Sequence, residues 1–314
     1  MQHQPTLFSE RRGVLLALGT AAISGLSVYV NAFGVKLVPD PVVYTTLKNA
    51  VAALLLVSFA VAAGGAGELR RLDGRRRSGL VVIAVIGGSI PFILFFSGLA
   101  AATAPTAAFI HKTLFVWVAL LAVPFLGERL GWLQVAALAT LLLGQLLVAP
   151  PSGMGWGAGE TMIAAATLLW AAEVIIAKRL LPAVSPSLLA ASRLGLGLVG
   201  LVGFLAATGR LGGLLAVPAD AWVWVVATGG LLAGYVGTWY RALRHARATT
   251  VTSVLVAAAV VTGVLSALTG GSVPSATVVL GYLAMVAAVG LVAVLAVGPV
   301  RLPGRVRRAV GGDG

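Results

Sequence analysis

Apolar residues run along this chain in stretches of about twenty, the length a bilayer core demands of a helix, rather than in the short alternating runs of half-buried strands. These windows predict helices at roughly 14–35, 42–63, 79–101, 105–126, 131–149, 159–181, 187–208, 221–243, 248–269 and 275–297. Turn-forming residues punctuate them: Pro39 and Pro41, the Gly64 to Gly67 stretch, Pro105, Pro150 with Pro151, Pro182 with Pro186, Pro218 and Pro274. The pattern predicts an all-α integral membrane protein of about ten spans.

Composition agrees. The chain is 59% hydrophobic and 10% charged, far from the roughly one-quarter charged residues of a soluble domain. It has no cysteine, so no disulfide, thiolate nucleophile or thiolate metal site is available. Its histidines, His3, His111 and His245, are too far apart in sequence to make a metal motif. No metal and no cofactor are expected.

A net charge of +13 would suggest nucleic acid in a soluble protein, but here the basic residues cluster between spans. With the N-terminus in the cytoplasm, that side holds Arg11, Arg12, Arg70, Arg71, Arg75, Arg76, Arg77, Arg129, Lys178, Arg179, Arg241, Arg244, Arg247, Arg301, Arg305, Arg307 and Arg308. The opposite loops hold only Lys36 and Arg210. This asymmetry predicts a multi-pass protein of the cell (inner) membrane with both termini cytoplasmic, and the charge is read as a topology signal facing lipid headgroups, with no nucleic-acid partner. Arg11 and Arg12 precede an apolar run of full spanning length without a convincing cleavage site, so the first helix is expected to be retained.

The chain also repeats itself. "VNAFGVKLVPDPVVYTTLKNAVAALLL" from Val30 aligns with "AEVIIAKRLLPAVSPSLLAASRLGLGL" from Ala172, placing Asn31 on Glu173, Lys36 on Lys178, Pro41 on Pro186 and Lys48 on Arg193. Further on, Leu99 falls on Leu243 and Ala104 on Ala248. Two halves of five helices follow, at 11–149 and 157–297, with a basic cytoplasmic tail at 298–314. Five is odd, so the second half must be inverted in the membrane. The loop charges fit, with Ser97, Ala100 and Thr103 in one half opposite Arg241, Arg244 and Arg247 in the other.

The "WAAEVIIAK" stretch ending at Lys178, the basic residue seven positions after a loop proline (Lys48, Arg193) and "PFLGERL" around Glu128 resemble the EamA family of the drug/metabolite transporter superfamily. The resemblance implies two inverted five-helix repeats, a central cavity between them, and import or export of amino acids and other small metabolites. The chain departs from the family pattern at four places. Val28 stands where an aromatic is expected, although Trp170 keeps it in the second repeat; Phe115 and Ala259 replace the prolines of the fourth and ninth helices; Ser272 stands opposite Glu128.

Ionisable residues within spans are costly, which makes each a functional candidate. Lys48 and Lys112 lie six or seven residues inside their helices, roughly 10 Å deep at 1.5 Å per residue. Arg193 and Glu173 lie at comparable depth from the other side, so each repeat has a cation on its second helix and a polar partner, Asn31 or Glu173, on its first. Glu173 and Arg193 are expected either as a structural ion pair or as a proton-coupling site. Lys112 has no evident acidic partner. It is expected to face the cavity with Lys48 and bind a carboxylate or phosphate, with snorkelling as the alternative. Tyr29, Trp117 and Trp170 are further cavity candidates, with core packing as the alternative. His111, about 100° away from Lys112 on an ideal helix, should point elsewhere and hold a helix contact by a hydrogen bond. Trp222, Trp224, Trp239 and Tyr240 are expected in an interfacial belt, and Gly230, Gly234 and Gly237 in close helix contacts. "GLGLVG" from Gly195 fits a dinucleotide fingerprint but lies inside a span and is expected to serve helix packing.

The function expected from these readings is secondary active transport of a small organic metabolite, an amino acid or other carboxylate-bearing solute, by alternating access, with proton coupling an option that Glu173 leaves open. The alternative is an accessory or lipid-headgroup carrier protein of the same architecture. A membrane enzyme is disfavoured, because the spans hold no credible catalytic constellation. The partners expected are a small-molecule substrate and the lipid bilayer. Monomer and homodimer stay open.

Overall fold

Local chemistry at the helix ends explains where the elements start. Asp40 accepts from Val42 N at 2.8 Å ahead of Pro41, and Ser185 accepts from Leu188 N at 3.2 Å ahead of Pro186. These are side-chain caps followed by a proline whose missing N–H costs nothing at a first turn, placed at matching points of the two repeats.

The structure is a computed structural model that describes residues 7–151, 156–270 and 273–298. Its membrane-crossing helices are α1 (Ser9–Gly34), α2 (Pro41–Ala62), α3 (Gly74–Leu99), α4 (Pro105–Leu126), α5 (Trp132–Val148), α6 (Ala158–Leu180), α7 (Pro186–Ala207), α8 (Ala221–His245), α9 (Ala248–Gly270) and α10 (Ala276–Val297). α5 is the shortest, at 17 residues, about 25 Å and just within spanning length. Two short pieces were not anticipated: the helix Gly65–Arg71 between α2 and α3, and the 3-10 turn Leu211–Leu214 between α7 and α8. Arg301, Arg305, Arg307 and Arg308 of the basic tail, Ser272 and His3 lie outside the described residues.

Packing runs mainly between the repeats. α1 lies along α8 as its counterpart α6 lies along α3; α1 meets α9 as α6 meets α4; α2 meets α8 as α7 meets α3. α2, α4 and α5 also touch their own counterparts α7, α9 and α10. Exchanging the halves therefore reproduces the packing, as expected of inverted five-helix repeats that bury their apolar faces against each other.

Three helices are irregular. α3 carries a π-helical turn at Ala84–Ser89, just before Pro91. Pro91 has no N–H for the Gly87 carbonyl four residues earlier, so that carbonyl is open to other donors. α4 is interrupted at Thr113 and α9 at Val256 and Ala257. In the alignment that sets Ala104 on Ala248, Thr113 falls on Ala257, so the two interruptions are equivalent. They lie beside Phe115 and Ala259, where the family proline is missing. The interruptions are present without it. In α4 the Thr113 hydroxyl takes the Ile110 carbonyl at 2.6 Å, a side-chain bond that competes with the helix ladder.

Glycine provides one close crossing. Gly88 on α3 and Gly197 on α7 approach backbone to backbone, and a Cβ on Gly197 would stand 2.7 Å from the Gly88 main chain. Gly230, Gly234 and Gly237 do not play this part. Gly230 faces open space and the other two have ordinary contacts, whereas Gly229 is the tight position of α8, against Val51 and the Lys48 carbonyl. Helix rotation, which glycine spacing does not reveal, makes this difference.

Candidate substrate site

The paired interruptions of α4 and α9 frame a cavity of about 110 Å³ with α1 as its third wall. Equivalent positions of the two repeats line it together: Lys112 and Val256, His111 and Leu255, Phe115 and Ala259. Ser24 and Val28 close it from α1, and Thr252 and Thr262 add hydroxyls from α9. A second cavity of about 340 Å³ shares Lys112, Ala259 and Thr262 and is walled further along by Val148, Ser266, Pro274, Val278 and Tyr282. Lys112 thus stands between the two spaces, which together extend toward the arginine-poor end, where α10 begins. Among the described residues Lys112 has no hydrogen bond or ion pair.

His111 differs from its expectation. It lines the same cavity as Lys112, although both lie in the helical segment that ends at Lys112, where the step of about 100° applies; the cavity is wide enough around α4 to take in both. It makes no hydrogen bond among the described residues, and its Nδ1 is buried without a partner. Its ring packs instead on Phe95 and Trp170, each with centroids 5.0 Å away. Trp170 also donates to the Gly87 carbonyl at 3.1 Å. Since Trp170 corresponds to Val28, this indole occupies the space in the second repeat that the smaller valine leaves open in the first. The cavity is therefore one-sided.

The other candidates sit elsewhere. Lys48 donates to Asn31 Oδ1 at 3.1 Å and lies 5.0 Å from the centre of the Phe96 ring; neither it nor Asn31 lines the two cavities. Tyr29 donates to Thr269 Oγ1 at 2.9 Å, tying α1 to α9. Arg193 Nη1 is 3.7 Å from Glu173 Oε2, and its Nε donates to the Gly87 carbonyl at 3.1 Å. The other oxygen of Glu173 accepts from the Tyr240 hydroxyl at 2.5 Å. The open carbonyl of the π-turn, the ion pair and two aromatic donors form one buried polar cluster joining α3, α6, α7 and α8.

Tyr240 was missed in the sequence, where it was assigned with Trp239 to an interfacial belt. Both are buried, Tyr240 completely; Trp222 remains exposed and Trp224 stacks on Phe33 with centroids 5.5 Å apart. The available signal was position. Tyr240 lies five residues before the end of α8, one turn deeper than an interfacial anchor needs to be.

At the arginine-rich end the halves are tied together. Glu128, at the end of α4, accepts from Ala248 N at 2.7 Å, Thr249 N at 3.2 Å and Thr249 Oγ1 at 2.6 Å, capping α9 across the repeat boundary. Lys178 donates to the carbonyls of Leu243 and Ala246 at the end of α8. Arg247 lies 3.7 Å from Glu10. These contacts tie the repeats at the end opposite the one toward which the two cavities extend.

A family model for EamA-like transporters matches residues 11–149 and 157–294, one copy on each half. The chain belongs to the EamA-like transporter family. It is a membrane transporter of the drug/metabolite type, built of two repeats. No curated protein matches its sequence. Among 29 chains of solved structures that match, one titled simply as a crystal structure of a protein aligns at 17% identity with a TM-score of 0.73. That alignment covers 90% of this EamA-like chain and 98% of the other, a likeness of fold.

Proposed function

We propose that this transporter carries a small organic anion by alternating access, loading it at Lys112. One observation carries the reading: a lysine with no partner among the described residues stands at the junction of two cavities framed by the broken helices of both repeats. A charge buried within a span needs a partner or a wet cavity, and a bound anion supplies the first where the cavity supplies the second. Broken helices at the repeat interface are also where secondary transporters build substrate sites. The shape described corresponds to a state open toward the arginine-poor end. Release on the other side requires the Glu128 cap on α9 and the Glu10–Arg247 contact to separate as the repeats rock. In this reading the arginine-rich end faces the cytoplasm of an inner membrane, both termini with it, because of the asymmetry of loop charge.

Glu173 is read as half of a structural ion pair. Both its oxygens are engaged, and neither cavity is lined by it or by Arg193. Proton coupling through it remains the second reading because it is the acid lying deepest within a span among the described residues. Counterflow and gradient-driven uptake in proteoliposomes separate the two: retained gradient-driven uptake in Glu173→Gln supports the structural role, and selective loss of it supports the carrier.

The test of the main reading is Lys112→Met against Lys112→Arg. Counterflow should fall at least about tenfold in the first, because removing one partner of a desolvated charge pair costs 2 kcal/mol or more, and should be largely kept in the second. Undiminished counterflow in Lys112→Met returns Lys112 to a snorkelling role.

A further inference from the structure

The substrate's charge can be narrowed from what surrounds Lys112. This step rests on the reading of that cavity as the loading site. Its lining supplies one cation, Lys112, and no carboxylate; the adjoining cavity adds none. The acids elsewhere in the described residues are committed or, like the exposed Asp220 at the start of α8, line neither cavity. Glu173 is held by Arg193 and Tyr240. The others lie at helix ends or in connections, where Asp40, Glu128 and Glu160 accept backbone N–H bonds and Glu10 faces Arg247.

The hydroxyls lean the same way. Thr252 donates to the Ala248 carbonyl at 2.9 Å and Thr262 to that of Gly25 at 2.9 Å, so both hydrogens are used within the protein. Ser24 makes no hydrogen bond among the described residues and is left with a donor for an anionic head. Apart from the His111 imidazole, whose Nδ1 has no partner, the remaining lining, Val28, Phe115, Leu255 and Val256 among it, is apolar.

An amino acid is poorly served here. Its carboxylate would find Lys112 and Ser24, but its ammonium would meet no carboxylate, only neutral acceptors such as His111 Nδ1 and the hydroxyls of Ser266 and Tyr282, and would share the space with the lysine. Burying a charge without a counter-charge is among the most unfavourable arrangements a protein can offer. A dianion such as a phosphate monoester would find one cation for two charges. We infer that the site selects a monoanion with an apolar body and no amino group, a simple branched or aromatic carboxylate in type.

Three probes of one carbon skeleton test this: isocaproate, which is leucine without its amino group; leucine; and isoamylamine, which is leucine without its carboxylate. Each is titrated against the purified full-length protein and followed by thermal shift. Isocaproate should stabilise the protein and isoamylamine should not. Leucine should bind at least about tenfold more weakly than isocaproate, the uncompensated ammonium being the only difference. The isocaproate effect should vanish in Lys112→Met and persist in Lys112→Arg, whose retained binding also shows that the site tolerates substitution. Leucine binding as tightly as isocaproate, no isocaproate binding, or isocaproate binding unaffected by Lys112→Met overturns the inference. A separate arm measures counterflow with isoamyl sulfonate, a permanently charged analogue that does not leak across bilayers as a neutral acid. Binding that follows the predicted order without counterflow overturns the transport reading and leaves the site's selectivity standing.

Discussion

Glu173 and Arg193 should be strongly coupled in stability, and the structure sets the size of the effect. At 3.7 Å and an effective dielectric of about 20, two unit charges attract by roughly 4 kcal/mol. Both side chains are buried, 1% exposed for Glu173 and 6% for Arg193, so removing either leaves the other charge stranded. Glu173→Leu and Arg193→Met should each cost about 3–5 kcal/mol, while the double variant, which replaces the pair with apolar groups, should cost much less than the sum. Tyr240→Phe keeps the ring but removes the hydroxyl bonded to the carboxylate, and should cost about 1.5–3 kcal/mol, the worth of a hydrogen bond to a charged group. The assay is unfolding of the purified proteins in mixed micelles by titration with a denaturing detergent, analysed as a double-mutant cycle. A coupling energy near zero, or an Arg193→Met protein as stable as the parent, would refute the ion-pair account of this cluster.

Two further outcomes are expected. Gly197→Ala should destabilise by about 1–3 kcal/mol, the usual cost of overpacking, since its methyl meets the Gly88 backbone, whereas Gly203→Ala, with open space at that position, should be neutral or mildly stabilising; equal effects in the same unfolding assay would show that the α3–α7 crossing is looser than described. Single cysteines placed at the exposed positions Ser78 and Ser275 of this cysteine-free chain should be labelled by an impermeant maleimide from opposite faces of the membrane. Labelling of both from one face contradicts the ten-span topology.

Much of the architecture was legible along the chain because hydropathy and charge are local properties. The ten spans, their approximate ends, the duplication and its inversion follow from apolar run length, loop prolines and the side on which arginine accumulates. The cation and polar partner at matching depths in each repeat, Lys48 with Asn31 and Arg193 with Glu173, could also be read from an aligned repeat, since depth in a helix follows from counting residues. What lies around each helix axis could not be read in this way. Tyr240 is a buried partner of Glu173 rather than an interfacial anchor because α8 is packed on both repeats, and Gly229 rather than Gly230 is its tight glycine for the same reason. The cavity was least legible. His111 and Lys112 share it although they are a helical step apart, and α4 is interrupted just after them at Thr113, where no proline announces a break and a threonine hydroxyl bonded back to Ile110 is the one local sign. The one-sidedness of that cavity depends on which repeat carries Trp170 and which Val28, and on the indole reaching the ring of His111. Sequence alone determined which charges enter the membrane. The packing of one repeat against the other decided which of them meets a partner and which, Lys112, has none among the described residues and stands at a cavity.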